Sequence, residues 1–385
     1  MYRKKLIFWS ACAGIVMFGA AVMTLGAILP DLRDKLGLTD LSAGTLFSVL
    51  PIGMLTGALF FGPVADRYGY KVLLAVSCFL MFAGFEGIAT TSSKGLITFF
   101  VYLSGCGGGA INGSTSALVS DITENDKGAK LSLLGFFFGV GALGMPLILG
   151  ILKPWLSFEQ ILTIVGGFTL VTGIAYLFIK FPEPKQPFGF PLSSGLGLLK
   201  DKVLLAIAFF LFLQSSFEGL FNNWTTSYAI GTLSASQSHA LFALSSYAGG
   251  MTLMRLLIGS LFAKTAPKNL LYSSFAMIAA GLILIRTDSN FYLALSGFVL
   301  TGAGLAAGFP IMLGFIGARH PSLSGTAFSI AFAVALIGNM LINYIMGIIA
   351  GLYGIRHLIT IASIELLLMI VLSTVILNGL FRKGQ

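Results

Sequence analysis

Twelve times along this chain, about 20 or more consecutive residues pass with almost no charge. A helix needs about 20 apolar residues to cross a bilayer core. In lipid every backbone N–H and C=O must find a partner within the structure, so such runs are expected to be helical. Membrane barrels are excluded, because their strands alternate apolar and polar residues over segments of about 10. The spacing predicts spans at about 6–30, 43–65, 71–92, 94–120, 129–152, 158–180, 203–231, 238–263, 269–287, 290–317, 321–350 and 353–380. Composition agrees: of 385 residues 56% are hydrophobic and 10% charged, against about 25% charged in soluble domains. That excludes a soluble enzyme, a nucleic-acid reader and a disordered chain. The first run, after Met1-Tyr-Arg-Lys-Lys, exceeds the about 7–15 apolar residues of a signal peptide, so it reads as a span.

The net charge of +9 is distributed by side. With the N-terminus inside, 16 of the 23 Lys and Arg fall in inner segments and 6 in outer ones, Arg255 lying within a span. This bias places both termini in the cytoplasm and assigns the basic surplus to topology rather than to nucleic acid. Residues 181–202, with four prolines and three lysines, read as a cytoplasmic linker between halves 1–180 and 203–385. Cys12, Cys78 and Cys106 sit in apolar runs without ligand spacing, and His239, His320 and His357 lie near loop ends. Neither set suggests a metal site, and no cofactor is expected.

An internal repeat appears at one offset. Shifting by 197 residues places Gly53-Met54 on Gly250-Met251, Gly62 on Gly259, and Gly105 and Gly107 on Gly302 and Gly304. Gly128, Ser132, Gly141 and Gly150 fall on Gly325, Ser329, Gly338 and Gly347. The chain reads as an all-α membrane protein of two parallel six-helix repeats, the plan of carriers whose halves rock about a central site.

Two motifs narrow the class. Gly62-Pro-Val-Ala-Asp66-Arg67-Tyr-Gly69-Tyr-Lys71 resembles the G-x3-D-[RK]-x-G-[RK]-[RK] loop between spans 2 and 3 of the major facilitator superfamily, with Tyr70 in place of a basic residue. The resemblance implies the major facilitator fold and a gating role for Asp66 and Arg67 at an inner latch. Span 7, with Glu218, Trp224 and Tyr228 spaced E-x5-W-x3-Y, is similar to the fucose/glucose/galactose symporter branch. Span 8 continues the likeness through Gly250-Met251-Thr252-Leu-Met-Arg255, with Met254 where that branch has glycine. Span 1 carries no acid, unlike the fucose symporters.

Charges at mid-bilayer cost about 2.5–3.5 kcal/mol on insertion scales, so Glu86, Glu218, Arg255 and Glu365 need partners, water or a proton. Gln214, Glu218, Phe221, Asn222 and Thr225 recur at i, i+4, i+7, i+8 and i+11, a stripe on one face of span 7. Amides and a carboxyl suit sugar hydroxyls, and Trp224 offers a flat face to a pyranose. We therefore expect substrate contacts from Gln214, Glu218, Asn222 and Trp224, joined by Asn112 of span 4 and by Asn339 and Asn343, one turn apart on span 11. Glu218 is the expected coupling group, Arg255 a gating or structural residue, and Glu86 and Glu365 buried structural acids. Phe309-Pro310 is expected to break span 10.

There is no phosphate-binding loop and no nucleophile with a base, so the chain is not expected to be an enzyme. The expectation is a monomeric secondary active transporter in a bacterial inner membrane. It would move a small neutral, hexose-like sugar with a proton or sodium ion by alternating access. The alternative is an exporter of drug-like or amphipathic molecules.

Overall fold

The computed structural model describes residues 3–123, 127–182, 198, 200–260, 265–286, 290–319 and 324–381; most of the linker, 183–197, and His320 lie outside them. The described residues contain no strand. Among the described residues, twelve helices are long and apolar enough to cross a membrane. They are α1 (Lys4–Leu36), α2 (Asp40–Phe60), α3 (Gly69–Thr90), α4 (Lys94–Ile122), α5 (Lys127–Leu152), α6 (Phe158–Phe178), α7 (Lys202–Leu233), α8 (Gln237–Ser260) and α9 (Pro267–Arg286). The tenth span is broken into α10 (Phe291–Leu305) and α11 (Gly308–Arg319); α12 (Ser324–Tyr353) and α13 (Leu358–Phe381) complete the set. An even number of crossings leaves both termini at one end.

The sequence sets the helix ends. Thr39 caps α2 by accepting from the Ser42 N–H, and Ser157 with Gln160 forms a capping box on α6. Gly37 closes α1 in the left-handed region, φ 59°. α2 and α3 belong to one helical run, Asp40–Thr90, in which Gly69 departs at φ 77°, ψ 171°. Two expectations are corrected. α1 continues to Leu36 through Pro30 instead of ending there. The tenth span breaks at Ala306–Ala307, one turn before Pro310. A proline ring clashes with the carbonyl four residues earlier, so the disturbance falls near Ala306 while Pro310 sits in the first turn of α11, where its missing N–H costs nothing.

The offset of 197 residues reappears in the packing. A Cβ at Gly105 would lie 3.1 Å from the Met54 nitrogen, and one at Gly302 3.1 Å from the Met251 nitrogen. Gly107 abuts Ser77 and Met81, as Gly304 abuts Ser274 and Ile278. Each pair of contacts is related by the same shift. Two packings that join the first six spans to the last six correspond as well: Gly44 against Gly347, and Leu241 against Gly150. Small residues let membrane helices approach until their backbones touch, where dispersion contacts replace a hydrophobic effect that lipid does not supply. On the rim the packing loosens; Phe178 of α6 is 84% exposed, as a lipid-facing side chain should be.

At the end away from the termini, α1 sends three charges at i, i+2 and i+4 to three different helices. Arg33 pairs with Asp40 of α2, Lys35 Nζ reaches Glu159 Oε1 of α6 at 3.2 Å, and Lys153 Nζ, just past the end of α5, meets Asp31 Oδ1 at 2.6 Å. Each half-exposed pair contributes at most about 1 kcal/mol, but together they hold the first group of helices in register.

At the terminal end Asp201 caps α7 and receives both Arg319 Nε, at 2.5 Å, and Nη2, at 3.1 Å, from α11. Burial opposes its charge, yet the Arg319 guanidinium and backbone N–H groups overcome that and hold the Asp201 carboxyl down to about 2. A depressed carboxyl stabilises the fold above its unfolded value, 3.8, and loses that contribution as pH falls toward 2. Melting temperature should therefore drop across that window in the wild type and drop less in Asp201→Asn, as read by thermal unfolding in detergent. Equal slopes would remove the pair from the stability balance.

Candidate functional site

α7 runs through the middle of the molecule, packing against α12, α13, α8 and, across the two groups of spans, α1. Its polar stripe splits into two clusters one to two turns apart.

The first cluster surrounds Glu218. This side chain is half-buried although α7 is central. Gln214 Nε2 donates to Glu218 Oε1 at 3.3 Å and to the Leu305 carbonyl at 2.8 Å. Gln214 is fully buried, beside the break in the tenth span. The charge of Arg255 acts on Glu218 from α8, and its guanidinium stands 5.9 Å from the Phe138 ring of α5. The buried Tyr247 hydroxyl has no partner and feels both Glu218 and Arg255. The Tyr247 ring stacks on Phe221, which stacks on Phe217, with centroids 5.3 and 5.1 Å apart. A carboxyl and an amide thus meet within electrostatic range of a guanidinium and a phenol, the phenol's ring being part of an aromatic stack.

The second cluster is built of neutral groups. Asn343, fully buried on α12, accepts at one oxygen from Trp224 Nε1 and from Asn223 Nδ2, each at 3.1 Å. Its Nδ2 donates to the Asn339 carbonyl at 2.7 Å, and Asn339 Nδ2 to the Ser215 carbonyl at 2.9 Å. Trp224 is fully buried, with its ring edge-on to Phe47 of α2, 5.3 Å between centroids. The Asn222 side chain is 8% exposed and its Oδ1 has no partner. Replacing Asn343 by Leu would orphan two buried donors at about 1–3 kcal/mol each. We expect a lower unfolding temperature for Asn343→Leu and partial recovery in Asn343→Asp, which keeps the acceptor; an unchanged temperature in Asn343→Leu would refute the network.

This second cluster lies where the two groups of spans meet. Pro30 supplies no N–H to the Gly26 carbonyl, and Thr226 Oγ1 of α7 donates to that carbonyl at 2.6 Å. Ser48 Oγ of α2 donates to the Met340 carbonyl of α12 at 2.7 Å. A Cβ on Gly26 would stand 2.8 Å from the Asn222 carbonyl carbon. These contacts close the bundle at the end away from the termini.

Of the residues to which the sequence points, the structure gathers Gln214, Glu218, Asn222, Trp224, Asn339 and Asn343 along α7 and its face with α12. Asn112 is exposed on α4. Asp66 and Arg67 lie outside the residues whose side chains are described. Glu365 is buried on α13 facing Ser216 of α7, and Glu86 is half-buried near Gly166 of α6; each has one oxygen without a partner. The α7 stripe does not reveal Asn223, Thr226 or Ser48. The available signal for Thr226 is Pro30, which frees a carbonyl one turn earlier. Among the described residues no group of His, Cys, Asp and Glu gathers as a metal site.

A helical membrane bundle with central polar groups, joined across two groups of spans by separable contacts, has the build of a transporter. Residues 11–294 match the family model described as Major Facilitator Superfamily. The chain belongs to the Major Facilitator Superfamily, and so is a multi-pass transporter rather than an enzyme. It is 25% identical over 343 residues to the glucose/mannose transporter GlcP of Bacillus subtilis, covering 86% of this chain and 84% of that protein. The fold matches the nucleoside transporter NupG with a TM-score of 0.78 at 17% identity, covering 97% of this chain and 99% of NupG. It also matches the inward-open xylose transporter XylE from E. coli with a TM-score of 0.76 at 13% identity, covering 95% of each chain.

Proposed function

We propose that this transporter moves a small neutral sugar of hexose type, coupled to a proton or sodium ion, by alternating access around Glu218. The observation that carries this reading is the half-buried Glu218 carboxyl, hydrogen-bonded to an amide, in the middle of an otherwise apolar membrane protein. An ionisable side chain within a membrane span marks a substrate or ion path. The similarity to a glucose/mannose transporter supports a sugar. So does the donor and acceptor set: hydroxyls need partners that both give and accept hydrogen bonds, as carboxamides and phenols do.

In this reading Glu218, Tyr247 and the unpartnered Asn222 oxygen form one wall of the site. Asn112 belongs to the facing wall, because a carboxamide exposed to lipid would forfeit its hydrogen bonds. Asn339 borders both clusters, while Trp224 and Asn343 are engaged in the closure in this arrangement. With the termini cytoplasmic, as the positive-inside bias supports, the closed end is external and the site faces inward. Asp66 and Arg67 then belong to the inner gate that closes in the opposite arrangement. We read the chain as a monomer of a bacterial inner membrane, with two halves, 1–180 and 203–385, joined by the linker 181–202.

The test is a ligand screen by thermal shift on purified protein, with hexoses, pentoses, nucleosides and amphipathic cations, with and without sodium at two pH values. A ligand at 100 times its Kd stabilises the fold by about 2.7 kcal/mol. A rise with hexoses supports the proposal. A rise confined to amphipathic cations would overturn it in favour of export of such molecules.

A further inference from the structure

The break in the tenth span divides a fixed helix from a strapped one. α10 is locked into its neighbours: Gly302 lies on the Tyr247 and Met251 backbone of α8, and Gly297 and Gly281 bring α10 against α9. α11 packs mainly on α7 and α12 and only lightly on α9. One polar tie joins α11 to α7, and a second joins the end of α10 to α7 at the break. At the terminal end Arg319 grips Asp201, which stays ionised throughout the ordinary pH range. At the break Gln214 donates to the Leu305 carbonyl, the last of α10. Gly308 begins α11, and a Cβ there would stand 2.8 Å from Gln214 Cδ and 3.1 Å from Nε2. The amide therefore fills the notch of the break.

The same NH2 group also donates to Glu218 Oε1, at 3.3 Å. Both donors of Gln214 are thus committed, one to the hinge and one to the carboxyl, while its Oε1 has no partner. We propose that Gln214 is a positioning residue rather than a substrate ligand: it ties Glu218 to the hinge at Ala306–Ala307, so that engagement of Glu218 alters the freedom of α11. This rests on the reading of Glu218 as the working acid of the site. A cation, proton or hydroxyl that takes Glu218 Oε1 removes one of the two bonds on the amide. The amide is then held by Leu305 alone, and α11 turns at the break while the Asp201–Arg319 tie keeps its far end on α7.

The test needs no substrate. Gly314 on α11 is exposed with no atom within 4 Å of a Cβ built there, so Gly314→Cys places a reporter thiol without crowding. Cys12, Cys78 and Cys106 are replaced by alanine, and the maleimide alkylation rate is measured in the full-length protein. Glu218→Met, Gln214→Met and the double variant are compared; Met matches both side chains in length and supplies neither the carboxyl acceptor nor the amide donor of the tie. Each single variant should change the rate about tenfold, and the double should match the singles, since coupled groups are not additive. Gly308→Ala, which displaces the amide without altering Gln214, should reproduce the change. Additive effects, or a Glu218→Met effect that persists in full when Gln214 is replaced by Met, would overturn the tie. Gln214→Met should also leave the affinity for any ligand found by thermal shift within about threefold, whereas a loss of about thirtyfold with unchanged alkylation would make Gln214 a ligand. If no sugar binds but the two substitutions remain coupled, the sugar reading fails and the tie stands.

Discussion

Glu218→Gln should abolish concentrative uptake while leaving exchange largely intact. The carboxyl is the charged member of the α7 stripe, and Gln keeps its size and its capacity for hydrogen bonds. If the coupled ion is a proton, the variant imitates the protonated carrier. It can then bind and release sugar in both directions, but it cannot be driven. With one proton per sugar, a gradient of one pH unit supplies about 1.36 kcal/mol, enough for about tenfold accumulation by the wild type. The variant should stop at equal concentrations. If the ion is sodium, Gln should remove sodium dependence together with accumulation. Counterflow and gradient-driven uptake in liposomes separate the cases, and concentrative uptake at the wild-type level by Glu218→Gln would exclude the residue from coupling. Attention would then pass to Glu86 and Glu365, whose carboxyls each hold an unpartnered oxygen.

A second large effect is expected at Gly26. The nearest atoms to a Cβ there belong to the backbone of Asn222 and Asn223, which cannot rotate out of the way. Gly26→Val would hold α1 off α7 and keep the end away from the termini from closing. Overpacking of this kind costs up to about 3 kcal/mol, which lowers turnover about hundredfold if closure is required in each cycle. The buried Ser48 provides the readout. In Ser48→Cys, alkylation by an impermeant maleimide should be slow while Gly26 is kept and fast once Gly26→Val is added. Slow alkylation of the double variant together with wild-type turnover would show that α1 and α7 need not touch.

The twelve spans were legible because lipid forbids unpaired backbone groups, leaving long apolar runs one practical structure. The repeat was legible because close backbone approach demands glycine at fixed places: Gly105 and Gly302 occur where their partners come within reach of a Cβ. The position of the helix break was not, since proline marks a disturbance but strikes the turn before it, at Ala306. The extension of α1 past Pro30 was hidden for a related reason, as the vacated Gly26 carbonyl found its donor on a helix 200 residues away. The polar stripe of α7 fixed which residues share a face. It could not say what that face meets. Gln214 meets the break in the tenth span, Glu218 the amide of Gln214, and the Trp224 N–H an asparagine of α12. Those assignments arise from tertiary packing, to which single-helix periodicity is blind.

The closure at the end away from the termini is made of amides, hydroxyls, an indole and glycines; the neighbouring Arg33 and Asp40 cancel each other within one group of spans. A membrane potential does work only on charge that crosses it, about 2.3 kcal/mol per elementary charge per 100 mV. Parting these neutral surfaces moves no net charge, so opening this end should proceed at the same rate in energised and de-energised vesicles. Voltage would enter the cycle through the occupancy of Glu218 and the ion that accompanies the substrate, which confines electrical control to one side chain instead of spreading it over the moving helices.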